Sequence, residues 1–554
     1  MAERLIYLPL GGAGEIGMNA YVYGYGPKGK ERLILVDLGV TFPDMDGTPG
    51  VDLIMPDISW LKDNKNRLEA IFITHAHEDH VGAVGHLWRD LGAPIYARPF
   101  TANHARHKMA DQGQPEEEVR IVNAHPETVK AGPLTVSFMP VSHSIPESSG
   151  LVIDTPAGRV VHTGDFKLDE NPVIGDPFDP ELWAEIAKPG VKALVCDSTN
   201  VFSTKDGRSE SEVKTPITDL VKGAPGMVVA TTFASNVARL QSLAEAGEAA
   251  GRSVCLLGRS MRRMMAAGLE SGVITKFPKT ISAEEAADIP RENLMLIVTG
   301  SQGERRAASA QLSRGKYLGL SMKEGDMFLF SSKTIPGNER GVIRIMNAYA
   351  EMGVDVVDDH DGLYHVSGHA NGPDIQRVHD LMDPEMVIPM HGEYRHLRQQ
   401  ARMAMNKGRG SVIAVNGTML DITGAAPEAV EFIETGRTYL DGSVKFGAFD
   451  GIIRDRIRLA LNGIVTVSVI LDEEDEPLGE PWVEAKGLAE VGKSNASVIE
   501  IAEEDLNQFL MRAKPKTLRD DAVLEEELKR ITRKVFRDEI GKKPEVSITI
   551  SRLS

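Results

Sequence analysis

Cysteine is scarce in this sequence, and long apolar runs are missing. The two cysteines, Cys196 and Cys255, cannot form a disulfide framework, and their scarcity in 554 residues fits a reducing compartment such as the cytoplasm. No run of about 18 apolar residues occurs, so we expect no membrane-spanning helix. The first residues, MAERLIYLPLGG, lack the apolar core of a signal peptide.

Positive charge is also in short supply. The formal net charge of −18 argues against a broad basic surface for non-specific nucleic-acid binding. It still allows a nucleic-acid substrate, because a metal site and a few local Arg and Lys residues can neutralise phosphates. The rest of the composition, 42% hydrophobic and 26% charged, is that of an ordinary globular protein, and the length predicts three or four domains.

The densest group of potential metal ligands lies in residues 75–80, HAHEDH. An apolar run at 68–74 predicts a buried strand before it, and apolar residues at helical spacing in 81–91 predict a helix after it. Imidazole and carboxylate are ligands that zinc prefers. We therefore expect His75 and His77 to share one ion, while Asp79 and His80, at the helix start, could hold a second.

A glycine motif near the start offers a different interpretation. Residues 12–17, GAGEIG, match the G-x-G-x-x-G pattern of dinucleotide-binding proteins, which requires a helix to follow. Residues 19–25 (NAYVYGY) instead alternate and are aromatic, which is typical of a strand. The sequence thus favours a glycine turn between two strands.

Further candidate ligands follow other predicted strands. Asp37 ends an apolar strand at 32–37, His143 follows a strand at 134–141, and Asp165 follows a hairpin built from 151–155 and 159–162. These residues complete a plausible set, with His75, His77 and His143 on one ion, Asp79 and His80 on the other, and Asp165 bridging them. By contrast, we expect His104 and His107, in a polar helix at 101–113, to lie at the surface.

Taken in order, these motifs resemble those of the metallo-β-lactamase superfamily. HAHEDH, SHS and TGDFK, with Asp37 upstream, match its four motifs, and its fold is an αββα sandwich with one or two metals at one edge. DSTN at 197–200, SGHA at 367–370 and PMHGE at 389–393 resemble the additional motifs of the β-CASP nucleases. Among these the sequence is most similar to the bacterial ribonuclease J family, over nearly the whole chain.

The resemblance and the strand pattern together predict the domain organisation. The fold class is α/β: a metallo-β-lactamase sandwich at 1–208 and 363–424, an inserted β-CASP α/β domain at 209–362, a linker at 425–455, and a small α/β C-terminal domain at 456–554. Within the insertion, strands at 227–232, 254–257, 294–298, 327–330 and 354–357 alternate with helices such as 238–250 and 341–352, which predicts a parallel sheet covered on both faces.

In the C-terminal domain we expect a strand over 458–470, helices over 503–512 and 522–537, and a last strand over 546–550. The helix at 522–537 carries a broad apolar stripe. From the pattern alone, this stripe could pack within its own domain or on another subunit. The resemblance implies a homodimer or tetramer.

The resemblance also implies roles for individual residues. His391 would be the last ligand of the second ion, Asp79 and Asp197 would be catalytic with Asp197 orienting a ligand histidine, and His369 would either bind the scissile phosphate or protonate the leaving oxygen. The implied RNA-binding residues are Ser235, Asn236, His365, Val366, Ser367, Gly368, His369, Ala370 and Asn371. Gly368 and Gly372 would let the backbone approach a phosphate closely.

As cofactors the resemblance implies two divalent ions, Zn²⁺ in the first place and otherwise Mn²⁺ or Mg²⁺. Family members also carry a calcium site. Asp52 is present for it, but the stretch at 445–450 departs from the acidic family pattern, so the sequence leaves calcium open.

The function implied is a metal-dependent ribonuclease that acts 5′→3′ on single-stranded RNA and favours a 5′-monophosphate. The resemblance adds endonuclease activity, a place in mRNA decay and rRNA maturation, and membership of an RNA-degradation complex. A β-lactamase or glyoxalase-type hydrolase would not explain the long insertion between DSTN and SGHA, and a transfer-RNA 3′ processing nuclease lacks it. An inactive RNA-binding paralogue would be expected to have lost ligands, and here none is missing.

Overall fold

The computed structural model describes residues 3–360 and 362–553. Its residues divide into two compact units, one containing Ile54–Arg437 and the described residues up to Thr41, the other containing Phe42–Leu53 and the described residues from Thr438 onward. In these ranges, no helix is both long enough and apolar enough to cross a membrane.

Two sheets form the base of the first unit. The eight-stranded sheet has, in spatial order, the strands Glu428–Phe432, Thr418–Asp421, Glu3–Gly11, Ala20–Pro27, Arg32–Val36, Leu68–Phe72, Ile95–Ala97 and Val119–Ile121. The seven-stranded sheet has the strands Gly410–Ser411, Met386–Met390, Ala193–Asp197, Gly158–His162, Ser149–Thr155, Leu134–Pro140 and Val129–Ala131. Alternate side chains of both sheets, among them Ile34, Phe72, Phe138 and Val195, share one buried core. The two sheets therefore form the sandwich that the sequence predicts.

Helices cover the outer faces of this sandwich. On the seven-stranded sheet, Trp183 of the helix Pro180–Ala187 and Val378 of the helix Gly372–Met382 pack on Val161 and Leu194. The other helices of this part are Ser59–Asp63, Glu78–Val81, Val84–Leu91, Pro99–Asp111 and Tyr394–Asn406, with 3₁₀ turns at Lys65–Arg67 and Glu116–Glu118. A two-stranded pairing joins Ala13–Gly14 to Gly392–Glu393.

The insertion contains a separate six-stranded sheet. Its order is Thr280–Ile281, Ser253–Leu257, Leu294–Val298, Val228–Thr231, Met327–Phe330 and Asp355–Val357, and every pairing is parallel. Val228 and Ala230 face one core, whereas Met227 and Val229 face another, so both faces are buried. The predicted parallel sheet with helices on both faces is confirmed. The remaining elements are Glu210–Val213, Lys214–Gly223, Val237–Ala249, Arg259–Glu270, Ala283–Ala287, Arg291–Asn293, Ala308–Leu312, Lys316–Tyr317, Leu320–Ser321 and Glu339–Glu351.

The second unit is built on a three-stranded sheet. Ile464–Leu471 pairs antiparallel with Trp482–Lys486 and parallel with Glu545–Arg552. The helices Val498–Leu510 and Asp521–Ile540 pack on it through Leu506, Leu528 and Phe536, all fully buried. The apolar stripe of the last helix is therefore used within its own unit. The helix Pro515–Leu518 and the hairpin formed by residues 438–447 complete the list, and Leu53–Pro56 is a short strand.

Two sequence predictions differ from the structure. The strand predicted over 458–470 is wrong in its first half, because Ile452–Asn462 is a helix and the strand starts at Ile464. The segment predicted as a linker contains the strand Glu428–Phe432, which extends the eight-stranded sheet by pairing with Thr418–Asp421. By contrast, the glycine turn is as predicted: Gly12, Gly14 and Gly17 have φ values of 81°, 90° and 90°, and the strand Ala20–Pro27 follows.

Candidate metal centre and adjoining cavity

The topology brings the candidate ligands to one edge of the sandwich. The strands that precede Asp165, Asp197 and His391 are parallel neighbours, so their carboxyl ends meet. In the facing sheet, the strand before Asp37 runs parallel to the strand before His75. Polar residues at the ends of five different strands are in this way collected from positions far apart in sequence.

Three histidine nitrogens converge on one point. His77 Nδ1 lies 3.1 Å from His75 Nε2 and 3.1 Å from His143 Nε2. Asp165 Oδ2 is 3.8 Å from the His75 nitrogen and 3.9 Å from the His143 nitrogen. His143 donates its Nδ1–H to Gly368 O at 2.5 Å, so its Nε2 carries a lone pair when the ring is neutral. A single proton between these nitrogens could satisfy only one contact, whereas a cation satisfies all of them.

A second group shares Asp165. His80 Nε2 lies 3.1 Å from Asp165 Oδ2 and 3.5 Å from Asp79 Oδ2, while His391 Nδ1 lies 2.7 Å from Asp165 Oδ1. His391 Nε2 faces Asp79 Oδ2 at 3.3 Å. The structure thus brings together all seven predicted ligands, with Asp165 in both groups. We call this set the ligand cluster: His75, His77, Asp79, His80, His143, Asp165 and His391.

The pKa values of these groups fit a cation. Burial holds the pKa values of His75 and His143 well below the usual range and lowers that of His77 to about 4, so the three rings are neutral. Burial also opposes charge on His80 and His391. There, however, nearby carboxylates outweigh it and raise the pKa of His80 well above its usual range and that of His391 to about 10. One group thus offers neutral lone pairs and the other attracts positive charge, which is the donor chemistry of a divalent metal site.

Neighbouring residues orient these ligands. The Asp37 carboxylate accepts from His80 Nδ1 at 2.7 Å, from Thr74 N at 2.7 Å and from Thr74 Oγ1 at 2.9 Å. With Nδ1 engaged, His80 presents Nε2 to the cluster. The Asn19 amide lies 3.0 Å from the Asp79 carbonyl and 2.9 Å from His80 Nε2. The sequence marks Asp37 only as an edge carboxylate and gives no signal for Asn19, whose role depends on contacts across about 60 residues.

Two non-glycine residues of the site adopt left-handed backbone conformations. Asp37 has φ 63° and His391 has φ 46°. Such conformations cost of order 1 kcal/mol or more in a non-glycine residue and persist where the surroundings enforce them. Here the surroundings are the hydrogen bonds to the Asp37 carboxylate and the hydrogen bond from Thr199 Oγ1 to the His391 carbonyl, at 3.0 Å.

Asp197 and His369 form a pair beside the cluster. His369 Nδ1 lies 2.8 Å from Asp197 Oδ2, whereas the nearest predicted ligand nitrogen, His391 Nδ1, lies 3.9 Å from Asp197 Oδ1. The histidine that Asp197 orients is therefore His369, which the sequence does not predict. Burial opposes charge on His369, but Asp197 and Asp165 outweigh it and raise its pKa.

A cavity of about 690 Å³ opens next to this pair. Its lining includes five of the predicted RNA-binding residues and four cationic side chains; these are His365, Val366, Ser367, His369 and Asn371, with Lys167, Lys205, Arg208 and Lys333. Acidic residues, Asp206, Asp358 and Asp359, line it as well. Cationic and acidic side chains thus nearly balance in this lining, whereas the protein as a whole is acidic.

Other residues predicted to bind RNA make structural contacts within the protein. Asn236 is buried, and its amide oxygen caps the helix Val237–Ala249 by accepting from Arg239 N at 2.9 Å. Ser235 precedes this cap, and neither residue lines the cavity. Ala370 is buried and donates its N–H to Phe166 O. A Cβ on Gly368 would lie 2.7 Å from Ser144 Oγ, so glycine is needed here to let the loop pack closely against Ser144.

The surface prediction for His104 is wrong. The His104 ring is buried, with Nε2 3.8 Å from Glu78 Oε1, and Glu78 is held by Lys108 at 2.6 Å. His107 is exposed, as predicted. In the second unit, the Asp52 carboxylate accepts from Gly442 N at 2.7 Å.

The αββα sandwich with its edge cluster defines a metallo-hydrolase of the metallo-β-lactamase superfamily, and the inserted parallel sheet defines a β-CASP nuclease. Family profiles match in the same order: "Metallo-beta-lactamase superfamily" at 14–198, "Ribonuclease J, beta-CASP domain" at 225–349, "Zn-dependent metallo-hydrolase RNA specificity domain" at 361–415 and "Ribonuclease J C-terminal domain" at 451–553. The chain belongs to the ribonuclease J family.

Full-length relatives support this assignment. Ribonuclease J of Sinorhizobium meliloti is 40% identical over 100% of this chain and 98% of its own length. Ribonuclease J of Corynebacterium glutamicum is 36% identical over 92% of this chain and 71% of its own. A solved structure of a protein of unknown function from Enterococcus faecalis shares the fold, with a TM-score of 0.52 at 16% identity over 76% of this chain and 100% of its own. The chain is accordingly a hydrolytic ribonuclease that binds divalent metal and RNA.

Proposed function

We propose that the protein degrades single-stranded RNA from the 5′ end, favours a 5′-monophosphate, and also cuts internally, in mRNA decay and rRNA maturation. The observation that supports this most is the adjacency of the cavity to the ligand cluster: the loop 365–371 lines the cavity, and its Gly368 carbonyl is bound by His143 of the cluster. A terminal phosphate held by this loop would leave the next phosphodiester beside the cluster.

For the metal we propose two Zn²⁺ ions, with Mn²⁺ or Mg²⁺ as alternatives. His75, His77, His143 and Asp165 would hold one ion, and Asp79, His80, His391 and Asp165 the other. Such ions, when bound, lower the pKa of water and neutralise charge on the phosphate. The seven residues suit this role, because the first group offers three neutral imidazoles and the second places two carboxylates beside its histidines.

A preference for 5′-monophosphate ends determines which bond must break. Stepwise degradation can continue only if each cut leaves a phosphate on the new 5′ end. Water must therefore add to phosphorus while the bond to O3′ breaks, and O3′ must receive a proton. We propose that His369 supplies this proton, with its Nδ1 held by Asp197 at 2.8 Å and its Nε2 left for the leaving oxygen.

We also propose a homodimer, able to pair into a tetramer, formed through the second unit, and association with an RNA-degradation complex. The domain boundaries that we propose are 1–208 with 363–424, 209–362, and 456–554 after a connecting segment at 425–455. The support for the assembly is the family resemblance together with apolar residues left exposed in that unit, such as Ile470 and Trp482.

The proposed activity is tested with one RNA labelled at its 5′ or 3′ end and carrying a 5′-hydroxyl, monophosphate or triphosphate. We expect labelled mononucleotide from the 5′-labelled monophosphate RNA, and slower loss of the other two. His77→Ala should abolish cleavage and lower bound metal below about two ions per chain. Equal rates on triphosphate and monophosphate RNA would contradict the 5′-end preference, and cleavage by the metal-free protein would contradict the metal mechanism.

A further inference from the structure

We propose that Phe202 is the surface on which a nucleobase of the bound RNA stacks. This inference deepens the proposed function, because it assigns the base-binding side of the same cavity. Phe202 is half exposed, with 50% of its surface accessible, and it lines the cavity. Among the described residues of that lining, it alone is Phe, Tyr or Trp.

The position of Phe202 relative to the RNA-binding loop is fixed by backbone contacts. Gly372 N donates to Ser203 O at 3.0 Å, and the Asn371 amide donates to Lys205 O at 2.9 Å. A Cβ on Gly372 would lie 2.8 Å from Ser203 O and 2.9 Å from Val201 O. The backbone on both sides of Phe202 is therefore held against the loop that also lines the cavity.

The same segment connects Phe202 to the catalytic edge. Val201 N donates to Ser198 O at 3.2 Å and Ser203 N donates to Asn200 O at 3.0 Å, which continues the turn that follows Asp197. Asp197 in turn holds His369. A base stacked on Phe202 would consequently have a defined position relative to Asp197 and His369, the residues beside the reacting phosphate.

Two side chains at the start of the helix Tyr394–Asn406 contact the ring. The Arg395 guanidinium lies 5.6 Å from the ring centroid, and the His396 ring lies 5.3 Å away at an interplanar angle of 56°. Arg395 is itself bound by Glu393 at 3.0 Å. These contacts orient the aromatic ring and still leave half of it accessible.

The chemistry of the cavity suits a nucleotide. Lys167, Lys205, Arg208 and Lys333 can neutralise phosphate, but cations do not hold a neutral base in place. An aromatic face binds any base through stacking, without reading its sequence, which is what an enzyme that degrades many RNAs requires. An exposed phenylalanine in an otherwise polar cavity provides that face.

The test combines Phe202→Ala and Phe202→Tyr with RNAs that are abasic at the first, second or third nucleotide. For ordinary 5′-monophosphate RNA, we expect Phe202→Ala to raise KM about tenfold or more with a smaller change in kcat, and Phe202→Tyr to behave like the wild type. An abasic site at the stacked position should weaken the wild type by a similar factor and weaken Phe202→Ala no further. Phe432→Ala is a matched control, since Phe432 is 77% exposed and lies outside the cavity.

Binding without cleavage separates this inference from the proposed function. The same RNAs are titrated by fluorescence anisotropy against the His77→Ala protein with and without Phe202→Ala. Loss of affinity that is confined to one abasic position and disappears in Phe202→Ala supports stacking, whatever the direction of degradation. Equal effects of Phe202→Ala on ordinary RNA and on all three abasic RNAs, or no effect on any, would overturn it. In the wild-type and in the His77→Ala background alike, a metal content and melting temperature that do not change when Phe202→Ala is added show that the substitution leaves the protein folded.

Discussion

At the scale of single residues, the pairing of Asp197 with His369 decides how the leaving oxygen can be protonated. The carboxylate accepts a hydrogen bond from Nδ1 and favours the charged ring, because against the effect of burial it raises the pKa of His369. The side chain is 23% exposed, enough to reach a substrate in the cavity. Phosphate binding and proton donation by His369 nevertheless predict different responses to substrate chemistry.

We expect His369→Ala to cut the rate on ordinary RNA about 10²- to 10⁴-fold while retaining bound metal. If His369 is the proton donor, RNA with sulfur in place of the bridging O3′ should be cleaved at nearly the same rate by the variant and the wild type, since a thiolate leaves without a proton. If the sulfur substrate is slowed as much as ordinary RNA, His369 acts by binding phosphate. Loss of metal would instead make it a ligand.

Glu31 illustrates a residue-scale effect on stability that is independent of the site. It lies 2.6 Å from both Arg4 Nε and Arg67 Nη1, and its side chain is 1% exposed. Burial alone would raise the pKa of Glu31, but backbone hydrogen bonds and Arg4 outweigh it and lower the pKa below 4.5. Its stabilising contribution is therefore present above about pH 4.5 and is lost as the pH falls through the lowered value.

Glu31→Gln should accordingly lower the free energy of unfolding by about 3 kcal/mol at pH 7, because the half-buried Arg67 loses this counter-charge and Arg4 keeps only Glu431, at 3.8 Å. The difference from the wild type should shrink as the pH falls below about 4, where the wild-type carboxylate becomes protonated. Denaturant unfolding at both pH values measures this. A difference that stays constant with pH would mean that charge is not the cause.

At the scale of elements, one buried arginine joins a helix of the insertion to the RNA-binding loop. Arg239, fully buried in the helix Val237–Ala249, binds Glu210 through Nε at 2.6 Å and Nη2 at 2.9 Å. Its Nη1 donates to the carbonyls of Ser331 and Tyr364, both at 3.0 Å. The Arg239 guanidinium thus holds the backbone of Tyr364, the residue directly before His365.

Arg239→Met should lower stability by about 3–5 kcal/mol, since Glu210 is left buried and unpaired, and should weaken RNA binding more than metal binding. The double variant with Glu210→Leu should recover much of the stability but not the RNA affinity, because the Tyr364 carbonyl loses the Arg239 guanidinium and keeps only Ser331 Oγ, at 2.7 Å. Arg263→Met is the control: its pair with Asp111 is exposed at 3.7 Å and is worth about 0–1 kcal/mol. Equal recovery of both properties would show that the loop does not depend on Arg239.

The helices and strands differ in how well the sequence predicts them. The buried strands of the insertion, such as Leu294–Val298 and Met327–Phe330, were predictable to the residue because parallel strands buried on both faces are apolar throughout. The helix Ile452–Asn462 was not predictable, since its apolar residues are partly exposed. In the sequence they run on directly into the apolar residues of the strand that follows. The burial of His104 depends on Glu78, a contact that the chain order does not reveal.

At the scale of the whole molecule, the ligand groups could be predicted because each ligand type follows a strand end, where a sheet edge collects side chains. The outer hydrogen-bond partners Asn19 and Thr74 could not, because they act only through geometry, whereas Asp37 is marked in the sequence as a carboxylate at a strand end. Likewise, the sequence could not say that the stripe on Asp521–Ile540 is used within its own unit. Any dimer contact of that unit must therefore be sought elsewhere on it.

We expect the dimer contact on the exposed side of the three-stranded sheet in the second unit. Trp482 pairs with Ser468 on that sheet and is 55% exposed, and Ile470 follows on the same face. In the full chain, Trp482→Glu should shift the mass measured by light scattering from dimer to monomer without changing cleavage of short RNA. Met511→Glu serves as control, because Met511 is an apolar residue of the same unit that is even more exposed than Trp482, at 74%. A dimer that persists in Trp482→Glu would exclude this face.

The pairing of the first strand with strands near residue 420 has a consequence for synthesis. Leu5 N donates to Thr423 Oγ1 at 2.7 Å, across 418 residues of chain. At about 5–20 residues per second, the beginning of the nascent protein waits about 20–80 s for its partner strand. His391 also emerges late, so the second ligand group is completed only when most of the chain has been made. A ribosome that translates this message therefore carries a nascent chain that lacks its full ligand set until His391 has been synthesised.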